Sequence, residues 1–197
     1  MLKVIQLMIL SGIVVAFFNG LLIKLISNTF EETKLTKALF WMMMLGVGEI
    51  TGGILQGKVI DHKGGRVGLL VVMGVLVATI AFTVIAHTIQ EYNAFWFFTA
   101  FGWGLLDSCA NTSANSICSS QFDSDIEPFA IFKFIQSFFV WVFLIVESFM
   151  KDKNQLKTQR WYIISIGIYG IIACALTMSI EWKKRPQLLS KQLEKSN

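Results

Sequence analysis

Six apolar runs, each at least 20 residues long, fill most of this 197-residue chain: Val4 to Ile26, Leu35 to Ile60, Val67 to His87, Ala94 to Phe122, Pro128 to Met150 and Trp161 to Ile180. About 20 apolar residues, at 1.5 Å of helical rise each, cross the roughly 30 Å hydrocarbon core of a bilayer. In lipid every backbone polar group has to find its partner within the protein, which turns runs of this kind into membrane-spanning helices. The chain reads as an all-α membrane protein, with six spans in residues 1–182 and a short basic, polar tail at 183–197. Composition agrees, with 54% apolar and 15% charged residues. The remaining loops are too short for a catalytic domain of ordinary size, which excludes most soluble enzyme classes.

The first run begins after a single Lys3, lacks a small-residue cleavage site and is read as a retained span, not a signal peptide. With six spans both termini share one side. That side carries nine basic residues against six on the other, with Lys24 and Lys133 set aside as intramembrane, which predicts cytoplasmic or matrix-side termini. The net charge of +4 points to loops meeting lipid headgroups, not to nucleic acid. Cys109, Cys118 and Cys174 fall inside apolar runs without metal-ligand spacing and read as small packing residues.

Polarity varies along the runs in a repeating order. The third and sixth carry no charge. The first holds Gln6, Asn19 and Lys24, the second Glu49, Thr51 and Gln56, the fourth Asp107, Asn111 and Asn115, and the fifth Lys133, Gln136 and Glu147. An ionisable group at membrane depth costs about 2.5–3.5 kcal/mol on insertion scales unless it faces protein or water. The third and sixth helices are therefore predicted to be peripheral and most exposed to lipid, with the other four turned inward. A pattern recurring every three helices predicts two three-helix repeats in opposite orientation, the plan of half a secondary transporter.

Three stretches carry more specific content. The first, Gly57-Lys-Val-Ile-Asp61-His-Lys-Gly64-Gly65-Arg66, joins the second and third spans. There Gly57 would let two helix backbones approach, Gly64 or Gly65 would make the turn, and Asp61 would pair with Arg66 or cap the next helix, forming a conformational latch. Upstream, Gly48 and Gly52 offer a further small-residue face. The second stretch, Gly102 to Ser120, sets Asp107 and Asn111 on one helical face and Ser108, Thr112, Asn115 and Ser119 on the next. Such a helix either lines a polar cavity or packs into protein. The third, Glu127-Pro128-Phe129-Ala130-Ile-Phe132-Lys133-Phe-Ile-Gln136-Ser137, places Glu127 at the positive end of a helix dipole and Pro128 in its first turn.

The first stretch resembles the loop signature of the major facilitator superfamily, G-x-x-x-D-x-x-G-x-[RK]. Asp107-Ser108 with Asn111-Thr112, followed by the run from Glu127 to Ser137, resembles the Unc-ninety-three-like family, the ion-channel regulatory branch of that superfamily. The match runs from about Gly46 to Ser148 and places the chain against the C-terminal six of the family's twelve helices. The resemblance implies a non-enzymatic regulatory or trafficking partner of other membrane proteins, such as potassium channels or innate-immune receptors, with no catalytic residues and no cofactor to carry over.

From the residues themselves, Asn19, Glu49, Asp107, Asn111, Asn115, Lys133 and Gln136 are the candidates for a cavity or partner face. Glu49 and Asp107 fall near the bilayer midplane, where a carboxylate either receives a proton or cation or is hydrogen-bonded at a helix interface. Lys133 is expected to reach Ser119, Asn115 or the loop acids Asp123 and Asp125 sooner than Asp107. Glu147 and Glu181 fall near membrane edges, where solvation is the default. His62 and His87 lack metal-binding neighbours, and no nucleophile or phosphate-loop motif is present. Three functions remain open: a regulatory or structural partner of membrane proteins, a transporter half working as a dimer or with a separate N-terminal half, and an accessory subunit of a large organellar membrane complex. Membrane lipids, other membrane subunits or a second copy are the expected partners, and the polar face predicts that the chain does not act as a lone monomer.

Overall fold

The structure, a computed structural model, describes residues 2–23, 34–89, 95–121, 126–149 and 156–180. Lys24, Asp123, Asp125, Glu181 and the tail lie outside the described residues. Six helices make up the described fold. Helix α1, Leu2–Phe17, continues through a π-helical turn, Phe18–Leu22; then come α2, Lys34–Lys63, α3, Gly65–Ile89, α4, Phe95–Gln121, α5, Ile126–Ser148, and α6, Leu156–Met178. Five of them, all but α4, are long and apolar enough to cross a membrane. Helix α4 has 27 residues, but its second half from Asp107 onward is polar. It lies at the centre, packed on α2 most extensively and also on α3 and α1.

Helices α2 and α3 are separated by Gly64 alone. Its φ of +86° lies in the left-handed region that glycine enters without a Cβ penalty. Its N–H donates to Ile60 O at 2.9 Å, and its carbonyl accepts from Gly68 N at 3.2 Å, so one residue closes one helix and opens the next. Asp61 and Arg66 are both exposed, and neither a hydrogen bond nor an ion pair joins them. The expected latch is not formed here, because Asp61 completes the last turn of α2 while Arg66 starts α3 beyond the turn. Gly57 also departs from expectation, since a Cβ there would meet nothing within 4 Å. The close approach falls at Gly48 and Gly52, where an added Cβ would strike the carbonyls of Phe101 and Leu105 on α4. Five residues beyond Gly52, Gly57 is turned by about 140° to another side of α2.

The core joins α1, α3, α4 and α6. Trp103 on α4 is fully buried, packs tilted against Phe17 of α1 with ring centroids 4.3 Å apart, and donates its indole N–H to Thr83 Oγ1 of α3 at 2.9 Å. Helices α3 and α6 cross at Gly170, which meets Leu76. Having several neighbours each, α3 and α6 are not the most exposed helices, contrary to expectation. Helices α2 and α5 are, because α2 lies mainly on α4 and α5 mainly on α1. Ile50 at 68% and Phe134 at 72% exposure mark their open sides.

The two halves of the chain make matching contacts. Gly12 on α1 packs under the carbonyl of Gln136 on α5, and Gly104 on α4 under that of Leu45 on α2. Leu21 N on α1 bonds to Glu147 on α5, and Ser113 on α4 bonds to Gln56 on α2. Positions 12 and 21 therefore map onto 104 and 113 with a single offset of 92, and 45 and 56 onto 136 and 147 with an offset of 91.

Candidate functional site: a polar relay joining three helices

Hydrogen bonding in an apolar environment decides which of the polar candidates act together, because an unpaired group there costs about 1–3 kcal/mol or more. Four of them converge with a fifth residue, Ser11. Lys133 Nζ on α5 donates to Gln136 Oε1 at 2.8 Å, one turn further along. Gln136 Nε2 donates to Ser11 Oγ on α1 at 2.6 Å and to Asn111 Oδ1 on α4 at 3.0 Å. Ser11 Oγ donates to the same Asn111 oxygen at 3.1 Å. Asn111 Nδ2 then donates to Asp107 Oδ1 at 2.9 Å and to the Asp107 carbonyl at 3.0 Å. Every bond points from the ammonium toward the carboxylate, so each polarises the next.

Local structure supplies the register. Gly12, pressed against the Gln136 carbonyl, draws α1 onto α5 and brings Ser11 within reach. Asp107 and Asn111, and likewise Lys133 and Gln136, sit three or four residues apart on their helices, where side chains are neighbours. Glu49, half-buried on α2, makes no hydrogen bond among the described residues and stays outside the relay. Lys133 thus joins the Asp107 relay, not Ser119 or Asn115; its ammonium also lies 4.8 Å from the centre of the Phe132 ring. Two further candidates stay outside. Asn19 is exposed and donates to Val15 O of its own helix at 3.0 Å, and the buried Oδ1 of Asn115 has no hydrogen-bond partner among the described residues.

Other polar groups tie helices together away from the relay. His87, buried near the end of α3, shares a hydrogen bond of 3.2 Å between its Nε2 and Gln159 Oε1 of α6, and its Nδ1 accepts from Arg160 Nε at 3.4 Å. Glu147 is fully buried, contrary to the expected solvated position, because Leu21 N and the Tyr162 hydroxyl both donate to it. The three cysteines are buried free thiols.

Length and hydropathy of the described helices define an integral membrane protein, helical through the described residues. No family model and no solved structure matches the chain. It is similar to the UNC93-like protein MFSD11 of Xenopus tropicalis and to that of Xenopus laevis, each 25% identical over 159 residues. These matches cover 71% of this chain and 34% of each relative, so the chain spans about a third of the length of the curated relatives it matches.

Proposed function

We propose that this chain is a non-enzymatic membrane protein of the UNC93-like kind, built as a six-helix half of a major facilitator fold and acting as a regulatory or structural partner of other membrane proteins. The observation that carries the reading is how the relay ends. Bonded through Gln136 to α1 and α4, it finishes at an exposed Lys133, beside the exposed apolar Phe134, Phe138 and Trp141 on the outer side of α5. A fixed cation flanked by aromatic residues suits a protein surface better than bare lipid. The paired offsets of 92 and 91 support two three-helix repeats, and the similarity to UNC93-like proteins points the same way. Another subunit or a second copy covers the open sides of α2 and α5, lipids cover the remainder, and the termini face the cytoplasm or matrix.

A second reading, a transporter half, is favoured by one feature: the Asp107 carboxylate and the Lys133 ammonium are held at the two ends of one hydrogen-bonded relay. Mass measurement from gentle detergent, with crosslinking from cysteines placed at Ile50 and Phe134, tests the first reading. The expected result is a mass above the monomer and crosslinks from both positions. A monomer without crosslinks, stable in bilayers, overturns it, and uptake by such a monomer in vesicles favours the second.

A further inference from the structure

Beside the π-turn of α1 lies a carboxylate that the relay does not use. Oε2 of the buried Glu147 accepts the Leu21 N–H at 2.9 Å, and its Oε1 accepts the hydroxyl of Tyr162 on α6 at 2.9 Å. The carboxylate reaches the α1 backbone because residue 20 is glycine; an added methyl would overlap Oε2. In an α-helix each N–H bonds the carbonyl four residues back, and a π-turn interrupts that ladder. Glu147 accepts the donor presented at the interruption.

The corresponding place in the other half of the chain makes the comparison. Ser113 stands where Leu21 does, and Gln56 where Glu147 does. There Gln56 Nε2 donates to the Ser113 hydroxyl at 2.7 Å and to Gly68 O at 2.9 Å. Because a side chain supplies the polar group, the backbone needs no interruption, and α4 is α-helical from Phe95 to Gln121. The π-turn thus accompanies the one clamp of the pair that takes a backbone N–H and carries an ionisable group.

We propose that Glu147 is a positioning residue for the relay: by holding the π-turn, it fixes the rotation of the part of α1 that carries Ser11. A π-turn contains one residue more than an α-turn, so its loss rotates the preceding segment by about 100° relative to the following one. Ser11 and Gly12 lie in that preceding segment. With the clamp closed, Ser11 meets Gln136 and Asn111; with α1 rewound as a regular α-helix, Ser11 turns away and α1 leaves the relay, which then passes only from Gln136 to Asn111. This deepens the reading of the relay given above, but its test needs neither partner nor ligand, so the two fail separately.

The test uses the full chain in lipid nanodiscs, with the native Cys109, Cys118 and Cys174 replaced by alanine and Val14→Cys, Val15→Cys or Ala16→Cys introduced one at a time. Val14 and Ala16 are fully buried and Val15 is half-buried, and neighbours on a helix stand 100° apart. Alkylation rates by a membrane-permeable maleimide are compared among the wild type, Glu147→Leu, which removes the acceptor, and Gly20→Ala, which displaces it. The cysteine-14 or cysteine-16 rate is expected to rise at least tenfold in both variants while the cysteine-15 rate falls. Rates unchanged within twofold in either variant overturn the proposal. So does a rise at all three positions together, which marks general loosening, or any other pattern lacking the opposed movement.

Discussion

Gln136 and Asn111 meet head to tail across α5 and α4, the amide of the first donating to the carbonyl oxygen of the second at 3.0 Å. This bond commits both side chains. Gln136 Oε1 is left to accept Lys133, and Asn111 Nδ2 to donate to Asp107.

Gln136→Leu leaves Lys133 without a relay partner and takes one bond each from Ser11 and Asn111, and is expected to cost about 1–3 kcal/mol. Ser11→Ala should cost less, about 0.5–1.5 kcal/mol. The double variant should lose less than the sum, since both residues belong to one network. Thermal unfolding in detergent measures all three, and strict additivity would show that the bonds act independently.

Gly104→Ala drives a methyl into the Leu45 carbonyl, while Gly57→Ala places one in open space. The first should destabilise by about 1–3 kcal/mol through overpacking. The second should be neutral or stabilising by up to about 1 kcal/mol, because alanine favours the helix over glycine. Equal melting temperatures for the two variants would contradict the placement of α4 against α2.

Asp61→Asn is expected to leave the melting temperature unchanged, because Asp61 is exposed and unpaired among the described residues, and exposed pairs contribute little even when formed. A clear drop on substitution, measured in the purified chain, would reveal a partner for Asp61 among the residues not described.

Trp103→Phe removes the hydrogen bond to Thr83 while keeping an aromatic ring against Phe17. It should cost about 1–3 kcal/mol, most of it from leaving the Thr83 hydroxyl with one bond fewer in the core. Trp103→Ala should cost about 3–5 kcal/mol. Chemical denaturation followed by tryptophan fluorescence separates the two.

Helix positions were legible because length and hydropathy are properties of each run alone. Their ends were less so: α2 continues through Asp61, His62 and Lys63, since charged residues at a membrane edge stay helical until a glycine turns the chain. Asp107, Asn111, Lys133 and Gln136 stood out because polar groups in apolar runs need partners. Ser11 did not, because a small hydroxyl can bond to its own helix; only the neighbouring Gly12 hinted at a close approach. Nor does sequence separate Asn111 from Asn19 and Asn115, three asparagines of which one meets the facing helices. Glu147 was misplaced because its burial depends on a π-turn 126 residues away, which no local pattern encodes. The charge-free runs within α3 and α6 tolerate lipid, but Thr79, Gly167 and Gly170 give them neighbours all the same.

The preference of α2 for α4 over α3, its neighbour in the chain, has a consequence for biosynthesis. The face of α2 around Gly48 has no match until Gly104 has been made, 56 residues later. At roughly 5–20 residues per second this is an interval of about 3–11 s. Helix α1 waits longer, because Gln136 and Glu147, which grip it, belong to the fifth helix. The ribosome therefore delivers the early helices to the membrane with their contact faces unfilled, and a nascent chain stopped after α3 would hold neither relay nor clamp. Until α5 emerges, lateral exit into lipid has to be delayed or the exposed faces shielded by the insertion machinery.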